Sequence, residues 1–310
     1  MIRKLSFFYL FIFFSFVFAG EEPNYPAECN AFINDTSEQD LTDIPDTPFN
    51  KGLLWKIEKD GKENYIFGTM HSQDYAVSPI PPKVRLALAK SNTLLIETIP
   101  NEEANQTFLN MMYFKDKQRL DHLLEPALLD TLIIIIQDYG VAAEHANFVK
   151  PWAAFSLIGR PKPVRAPTLE SNLLKAAQQS MLQIKSLETM EEILSALDGL
   201  AMNDQVVILK DTICNHEQII HDTKMLVDLY INRDLQGMLE FNNQPHYDEA
   251  VFVRFMQRIL YDRNTRMLKR IENEFKSGNV FVAVGASHLA GANGLLNELS
   301  KKSYSITQIY

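Results

Sequence analysis

The sequence lacks the short motifs that identify many hydrolases and nucleotide-binding proteins. It contains no His-Glu-x-x-His zinc motif and no glycine-rich phosphate loop, and Ser287 lacks the Gly-x-Ser-x-Gly context of a serine hydrolase. Positive charge is also scarce, because 39 acidic residues against 30 basic ones leave a formal net charge of −9. This acidic balance argues against nucleic acid and anionic membranes as partners.

Cysteine is limited to Cys29 and Cys214 in a chain of 310 residues. Their spacing does not suit a metal site made by cysteines alone. An even pair in an exported chain predicts a disulfide, which would tie the N-terminal region to the helical part of the chain. Two unpaired thiols are the alternative.

Long apolar runs are confined to the N-terminus. Residues 1–4 include two basic residues, Arg3 and Lys4, residues 5–18 are almost purely apolar, and Ala19 offers a small residue for cleavage. This pattern is typical of a secretory signal peptide, so we expect a leader at residues 1–19 and a periplasmic or secreted product. The alternative for this run is a permanent membrane helix, which needs roughly 20 apolar residues, and the run is shorter. No stable membrane span is therefore expected after the leader is removed. Residues 20–50 are polar and contain several prolines, which predicts an extended, loosely held arm.

The rest of the chain, residues 51–310, alternates short apolar strands with longer helical stretches and predicts an α/β (α+β) fold. Asp60-Gly61 separates two strand-like runs and predicts a β-hairpin. The continuous apolar runs at residues 94–96 and 280–284 are typical of buried parallel strands. Residues 101–180 are mainly helical, so we expect a large helical insertion beside a central, mostly parallel sheet flanked by helices.

Capping residues and apolar periodicity predict three further helices and two further strands. The helices are expected at residues 81–90, 123–139 and 251–276, and the strands at residues 182–187 and 305–309.

Arg263 lies on the apolar stripe of the last of these helices, between Leu260 and Met267. A guanidinium that faces a core needs anionic partners, and Glu97 and Glu188 are the expected ones. The alternative is an arginine whose stem covers apolar surface while its head reaches water.

Two Gly-x-x-His sequences each follow an apolar strand, one running from Gly68 to His71 and the other from Gly285 to His288. Glycine allows the backbone to turn sharply as it leaves a sheet. The carboxyl ends of strands in an open α/β sheet are where ligands bind. We therefore expect the two histidines to belong to one site.

Two acidic residues, Glu97 and Glu188, also follow predicted strands. A carboxylate beside a buried strand costs several kcal/mol unless it is paired or binds a metal, although Glu97 would also be accommodated by reaching solvent. Two histidines and a carboxylate are sufficient ligands for a catalytic divalent metal. Glu188 would then be a fourth ligand or the general base, and Arg263 would stabilise an oxyanion. In a metal-free version, one histidine acts as a base on water and a glutamate orients it.

Six motifs occur in the order found in the TraB/GumN family, which this chain resembles over residues 50–310. They are Leu54-Trp-Lys-Ile57 with Phe67-Gly-Thr-Met-His71, the strand ending in Glu97, Ser186-Leu-Glu-Thr189, Asp262-Arg-Asn264, Val282-Ala-Val-Gly-Ala-Ser-His-Leu289, and Gly291 with Gly294. Ser287 and Ala290 depart from the glycine and proline of many relatives, which would alter the stiffness of the second loop.

The resemblance implies the fold shared with Tiki ectoproteases and, more distantly, with erythromycin esterases and ChaN-like haem-binding proteins. Tiki proteins are similar in using two Gly-x-x-His motifs and a glutamate for metal-dependent peptide cleavage, which places His71, Glu97 and His288 as ligands of Mn, Co or Zn. Glu188, Arg263 and Asn264 match family positions without a specified role, although the Asn264 amide would hold a loop.

Three functions remain open at this point. The first is an exported, metal-dependent hydrolase acting on a peptide or small molecule. The second is a non-catalytic envelope protein that binds a peptide or a haem-like ligand, and the third is a metal-free esterase. Bound metal and sensitivity to chelators distinguish the first from the others.

Overall fold

The computed structural model describes residues 25–32, 48–244 and 247–310. The strands are β1 (Leu54–Lys59), β2 (Lys62–Thr69), β3 (Thr93–Ile96), β4 (Gln183–Ser186), β5 (Val280–Gly285) and β6 (Ser305–Gln308). The helices are α1 (Pro82–Ala89), α2 (Glu102–Met112), α3 (Pro126–Gln137), α4 (Ala143–Ala146), α5 (Pro151–Ile158), α6 (Leu169–Gln179), α7 (Met190–Asp198), α8 (Met202–Cys214), α9 (His216–Ile231), α10 (Leu235–Asn242), α11 (Glu249–Met256), α12 (Asp262–Phe275) and α13 (Leu295–Lys301).

One six-stranded sheet has the order β4-β3-β5-β2-β1-β6. The first four strands in that order are mutually parallel, whereas β1 is antiparallel to both of its neighbours. The predicted mixed α/β fold with a mostly parallel sheet is therefore confirmed. The central strand β5 is buried along nearly its whole length, as its continuous apolar sequence predicts.

The β1–β2 hairpin delivers the first Gly-x-x-His sequence to the centre of the sheet. Its two-residue turn is Asp60-Gly61, and both residues have positive φ, which matches the right-handed twist of the flanking strands. Leu54 pairs with Phe67, and Lys59 pairs with Lys62. The register follows from this turn, so the apolar end of β2 runs into the core beside β5.

Helices α2, α3, α4, α5, α7 and α8 contribute to a second apolar cluster, whereas α1, α6, α9, α10, α12 and α13 contribute to the cluster that covers the sheet. The stretch of consecutive isoleucines at residues 133–136 lies in α3, so the helical prediction is confirmed there. None of the helices in the described ranges is long and apolar enough to cross a membrane.

The N-terminal region differs from the extended arm predicted for residues 20–50, where the structure describes it. Residues Ala27–Ala31 form a 3-10 helix, and Cys29 and Phe32 are buried in the second cluster. Cys29 is bonded to Cys214 at the end of α8, which confirms the predicted disulfide. The covalent bond and the apolar burial hold this segment in place. The predicted leader, residues 1–19, lies outside the described residues.

The helix predicted at residues 251–276 runs through α11 and α12, but a π-helical turn, Gln257–Tyr261, joins them. A π turn contains one more residue than an α turn and often occurs at functional sites. Arg263 follows it directly. Its side chain is 12% exposed, and Met267 and Ile271 on the same stripe are fully buried.

Candidate functional site

The carboxyl ends of β4, β3, β5 and β2 meet at one edge of the sheet. Thr69 lies opposite Gly285 in the parallel register, while Ile96 lies opposite Ala283 on one side and Ser186 on the other. Parallel strands end on the same side, so the residues that follow them are brought together. Those residues include His71, Glu97, Glu188 and His288.

Asn264 holds the buried imidazole of His288 in one orientation. The Asn264 amide donates to the carbonyl oxygen of Asn293 at 3.0 Å, so its Oδ1 is the acceptor facing His288 Nδ1 at 2.7 Å. Nδ1 therefore carries the proton, and Nε2 presents a lone pair. Burial lowers the pKa of His288 to about 4, so the ring is neutral at pH 7. The contact with Asn293 also holds the loop after His288, as expected for Asn264.

Glu97 faces this lone pair. Its Oε1 lies 3.9 Å from His288 Nε2 and accepts the Gly285 N–H at 2.6 Å, while its Oε2 accepts Arg263 Nη2 at 2.7 Å. Burial raises the pKa of Glu97, but the His288 ring when it is protonated, the Arg263 guanidinium and the Gly285 N–H outweigh burial and hold that pKa below its usual range. Oε1 and Nε2 are both acceptors and cannot bond to each other. A cation or a proton donor between them would satisfy both atoms.

Arg263 contacts both of its predicted carboxylates. Its Nε donates to Glu188 at 2.8 Å, its Nη2 also reaches Glu97, and its Nη1 donates to the Ile259 carbonyl in the π turn at 3.2 Å. Every guanidinium nitrogen is therefore engaged by the protein. The predicted role in stabilising an oxyanion does not fit this geometry, because the contacts instead fix the position of Glu97.

Glu188 also differs from its predicted role as a metal ligand or base. Its side chain is fully buried; one oxygen is bound by Arg263 and the other by Arg266 at 2.6 Å and 3.0 Å. Neither oxygen is free to bind a metal or to take a proton from water. Sequence reasoning missed Arg266, although its position three residues after Arg263 places both on one helix face.

His71 lies apart from the His288–Glu97 pair. Its side chain is 72% exposed, and its Nδ1 is 3.6 Å from Glu170 Oε2. That carboxylate oxygen is buried and has no hydrogen-bond partner among the described residues. The Glu170 carboxylate raises the pKa of His71. Sequence reasoning missed Glu170; the only local signal is its place in the first turn of α6, after the capping residue Thr168.

The two motif glycines serve close packing rather than the sharp turn expected of them. Neither Gly68 nor Gly285 has positive φ. A Cβ on Gly68 would lie 2.9 Å from Leu289 and 3.1 Å from the Ala286 backbone, and a Cβ on Gly285 would lie 3.3 Å from Glu97 Oε1. The absent side chains let β2, the second loop and Glu97 approach one another.

The donor chemistry at His288 and Glu97 suits a divalent metal such as Mn, Co or Zn. A neutral imidazole whose Nδ1 is held by an amide, with a carboxylate beside it, is a common ligand arrangement. Within the described ranges, no three His, Cys, Asp or Glu side chains are grouped closely enough to hold an ion. The residues present fit two of the three predicted donors, and His71 as the third stays a prediction.

A cleft of about 1260 Å³ opens beside this site. His288, Arg263 and Gly285 line it at the strand ends, and the other lining residues come mainly from α5, α7, α8, α9, α10, α11 and the π turn. Asp211, in the last turn of α8, lines the same cleft. Burial raises the pKa of Asp211 to about 6, although a hydrogen bond from Asn215 acts in the opposite direction.

Replacing Asp211 with asparagine is expected to remove a pH dependence of stability. The folded-state pKa lies above the unfolded value of about 3.9, so the folded protein binds the proton more tightly. The stabilisation is present below pH 4 and is lost as the pH rises through 6. The difference in unfolding free energy between Asp211→Asn and wild type should therefore increase from pH 4 to pH 7, as measured by urea titration. Asn keeps the acceptor for Asn215, and Asp130→Asn on exposed helical surface is the control. A constant difference would contradict this prediction.

A profile of the TraB/PrgY/gumN family matches residues 53–308, which include both Gly-x-x-His sequences and every strand of the sheet. The chain belongs to the TraB/PrgY/gumN family. The resemblance predicted from its motifs is thereby confirmed.

The proteins similar to this chain include metalloproteases. The chain is 25% identical to the metalloprotease TIKI1 of Xenopus tropicalis over 82% of its own length, and 22% identical to TIKI1 of Danio rerio over 86%. The alignment with human TIKI1 is 26% identical and covers 45% of the chain. The first two alignments span 61% and 64% of those relatives, so the chain matches somewhat under two thirds of their length.

Proposed function

We propose that this protein is an exported, divalent-metal-dependent hydrolase that acts on peptides. The observation that carries the proposal is the pair of acceptors, His288 Nε2 and Glu97 Oε1, facing each other at 3.9 Å at the carboxyl ends of parallel strands. Similarity to TIKI metalloproteases supports the reaction class. The disulfide supports export, because such bonds persist mainly in oxidising compartments.

In this proposal, His288 and Glu97 hold the metal and His71 supplies the third donor. A bound divalent ion lowers the pKa of water and polarises a carbonyl. Asn264 keeps the proton of His288 on Nδ1 and leaves Nε2 free, whereas Arg263 and the Gly285 N–H fix the Glu97 carboxylate. Glu170 lies against His71 Nδ1 and would orient that ring.

Metal analysis of purified protein tests this proposal. We expect roughly one Mn, Co or Zn per chain in wild type, and loss of that metal in His71→Ala and His288→Ala. Asn264→Ala should weaken metal affinity by about 10–100-fold, as for the loss of a residue that orients a ligand. His122→Ala, at an exposed histidine, is the control. Circular dichroism verifies that each variant is folded.

Cleavage of a peptide library with and without added metal completes the test. A folded wild type that takes up no metal and cleaves no peptide would exclude the metallohydrolase. Ligand recovered intact in stoichiometric amounts would instead identify a binding protein.

A metal-free hydrolase is the second candidate, and the ion pair of Arg263 with Glu97 favours it. The guanidinium already neutralises the carboxylate, which weakens attraction for a metal. A water donating to Nε2 and Oε1 would satisfy both acceptors, and neutral His288 would act as its base. Activity that survives a chelator but is lost in His288→Ala identifies this mechanism.

A further inference from the structure

The cleft beside the strand ends is large for a small-molecule site. Its volume of about 1260 Å³ exceeds the roughly 300–1000 Å³ of typical ligand pockets. It runs from His288 and Ser287 at the second Gly-x-x-His loop to α8, the helix that contains Cys214. Space of this extent accommodates several residues of a polymer rather than one small ester.

Aromatic side chains form one wall of the cleft. Phe255 packs edge-to-face on Phe155 at 5.9 Å between ring centroids and lies 6.2 Å from Phe252. Met256 and Ile259 continue this wall toward Arg263. Apolar surface that lines an open cleft favours the burial of an apolar guest, by roughly 25 cal/mol per Å² removed from water.

Asp211 places a carboxylate in these surroundings. Its Oδ1 accepts the Asn215 amide at 2.8 Å. No lysine, arginine or histidine of the described residues forms an ion pair with it. Asp211 also lies in the last turn of α8, where the helix dipole disfavours negative charge. Burial and the dipole both oppose the charge, so a cationic guest would be stabilised at this position.

We propose that the cleft binds a peptide segment with a large apolar side chain against the Phe252–Phe255 wall and a cationic group against Asp211. The cation is a lysine or arginine side chain or a peptide amino terminus. This arrangement would hold a peptide bond beside His288. Cleavage of that bond rests on the proposed function, whereas binding of the peptide does not.

Peptide binding measured without turnover tests this inference. Fluorescein-labelled peptides containing Phe and Lys are titrated into full-length protein in a chelator, and fluorescence anisotropy reports affinity. Acetylation of the lysine should weaken binding about tenfold, as for loss of a partly buried ion pair. Replacement of Phe by Ser should also weaken binding about tenfold. The same peptides with a free or acetylated amino terminus locate the preferred cation.

Two protein variants provide the reciprocal test. Asp211→Asn should bind lysine and acetyl-lysine peptides equally, and Phe255→Ala should lose the preference for Phe over Ser. Asp130→Asn, the same substitution outside the cleft, should retain both preferences.

The proposal would be overturned if wild type bound the lysine and acetyl-lysine peptides equally and also bound the free and acetylated amino termini equally. These comparisons require no variant to fold. Binding that persists in His288→Ala and in a chelator, without any cleavage when metal is added, would support the cleft assignment while rejecting the hydrolase.

Discussion

Replacing Arg263 with methionine is expected to lower the free energy of unfolding by about 3 kcal/mol, the lower end of the about 3–5 kcal/mol range for breaking a buried ion pair. Arg263 joins Glu97 to the fully buried Glu188. Its loss leaves Glu97 with only the Gly285 N–H, while Arg266 still partly compensates Glu188. Most of the lost unfolding free energy comes from the carboxylates of Glu97 and Glu188, which would lose a positive partner where little water reaches them.

Urea unfolding measured by circular dichroism tests the effect of Arg263→Met. Lys162→Met is the control, since Lys162 also pairs with a carboxylate, Asp138, but the two side chains are 64% and 51% exposed. Only a small change is expected there, because solvent screens the pair. Adding Glu188→Gln to Arg263→Met should recover part of the loss. A loss of unfolding free energy below about 1 kcal/mol in Arg263→Met would show that the two carboxylates do not depend on Arg263 for charge compensation.

Removing the disulfide is expected to cost about 2–5 kcal/mol of unfolding free energy. Cys29 and Cys214 are separated by 185 residues, for which the chain-entropy model gives roughly 5 kcal/mol. The bond closes a loop over residues 29–214 and restricts that part of the unfolded chain, whereas residues 215–310 lie outside the loop. Both sulfurs lie in the second apolar cluster, so replacement by serine would add a cost of burying hydroxyls.

Cys29→Ala/Cys214→Ala and thiol-reduced wild type should lose similar amounts of stability when compared by urea unfolding. The two treatments break the same bond but leave different side chains, so agreement isolates the effect of the bond. Release of the N-terminal segment without a shift in the main transition, detected by limited proteolysis, would contradict a global role.

The strands and the mostly parallel sheet were predictable because they follow from strong local rules, whereas the strand order was not predicted, because it depends on contacts between distant segments. Asp60-Gly61 specifies a two-residue hairpin, and the continuous apolar sequence of β5 requires burial on both faces. The π turn was not predictable. The spacing of apolar residues across it still fits an ordinary helix, and the position of the extra residue depends on tertiary contacts.

The proximity of His288, Glu97 and Arg263 was predictable, whereas the partners of His71 and the second partner of Glu188 were not. Strand-end positions brought His288 and Glu97 together, and apolar periodicity placed Arg263 toward the carboxylates. Glu170 and Arg266 were missed because their partners are distant in sequence. The geometry of Glu188 was missed for the same reason, because the local sequence does not show that Arg263 and Arg266 each bind one of its oxygens.

The π turn Gln257–Tyr261 sets the angular phase between the two halves of one helix. Each residue advances a helix by about 100°, so one additional residue rotates all that follows relative to all that precedes. Phe255 therefore packs against Phe155 on one side of the cleft while Arg263 reaches both strand-end carboxylates. Deleting one residue of this turn would swing Arg263 away from both carboxylates without changing any side chain that touches them. The spacing between these residues is thus as much a requirement of the site as their identity.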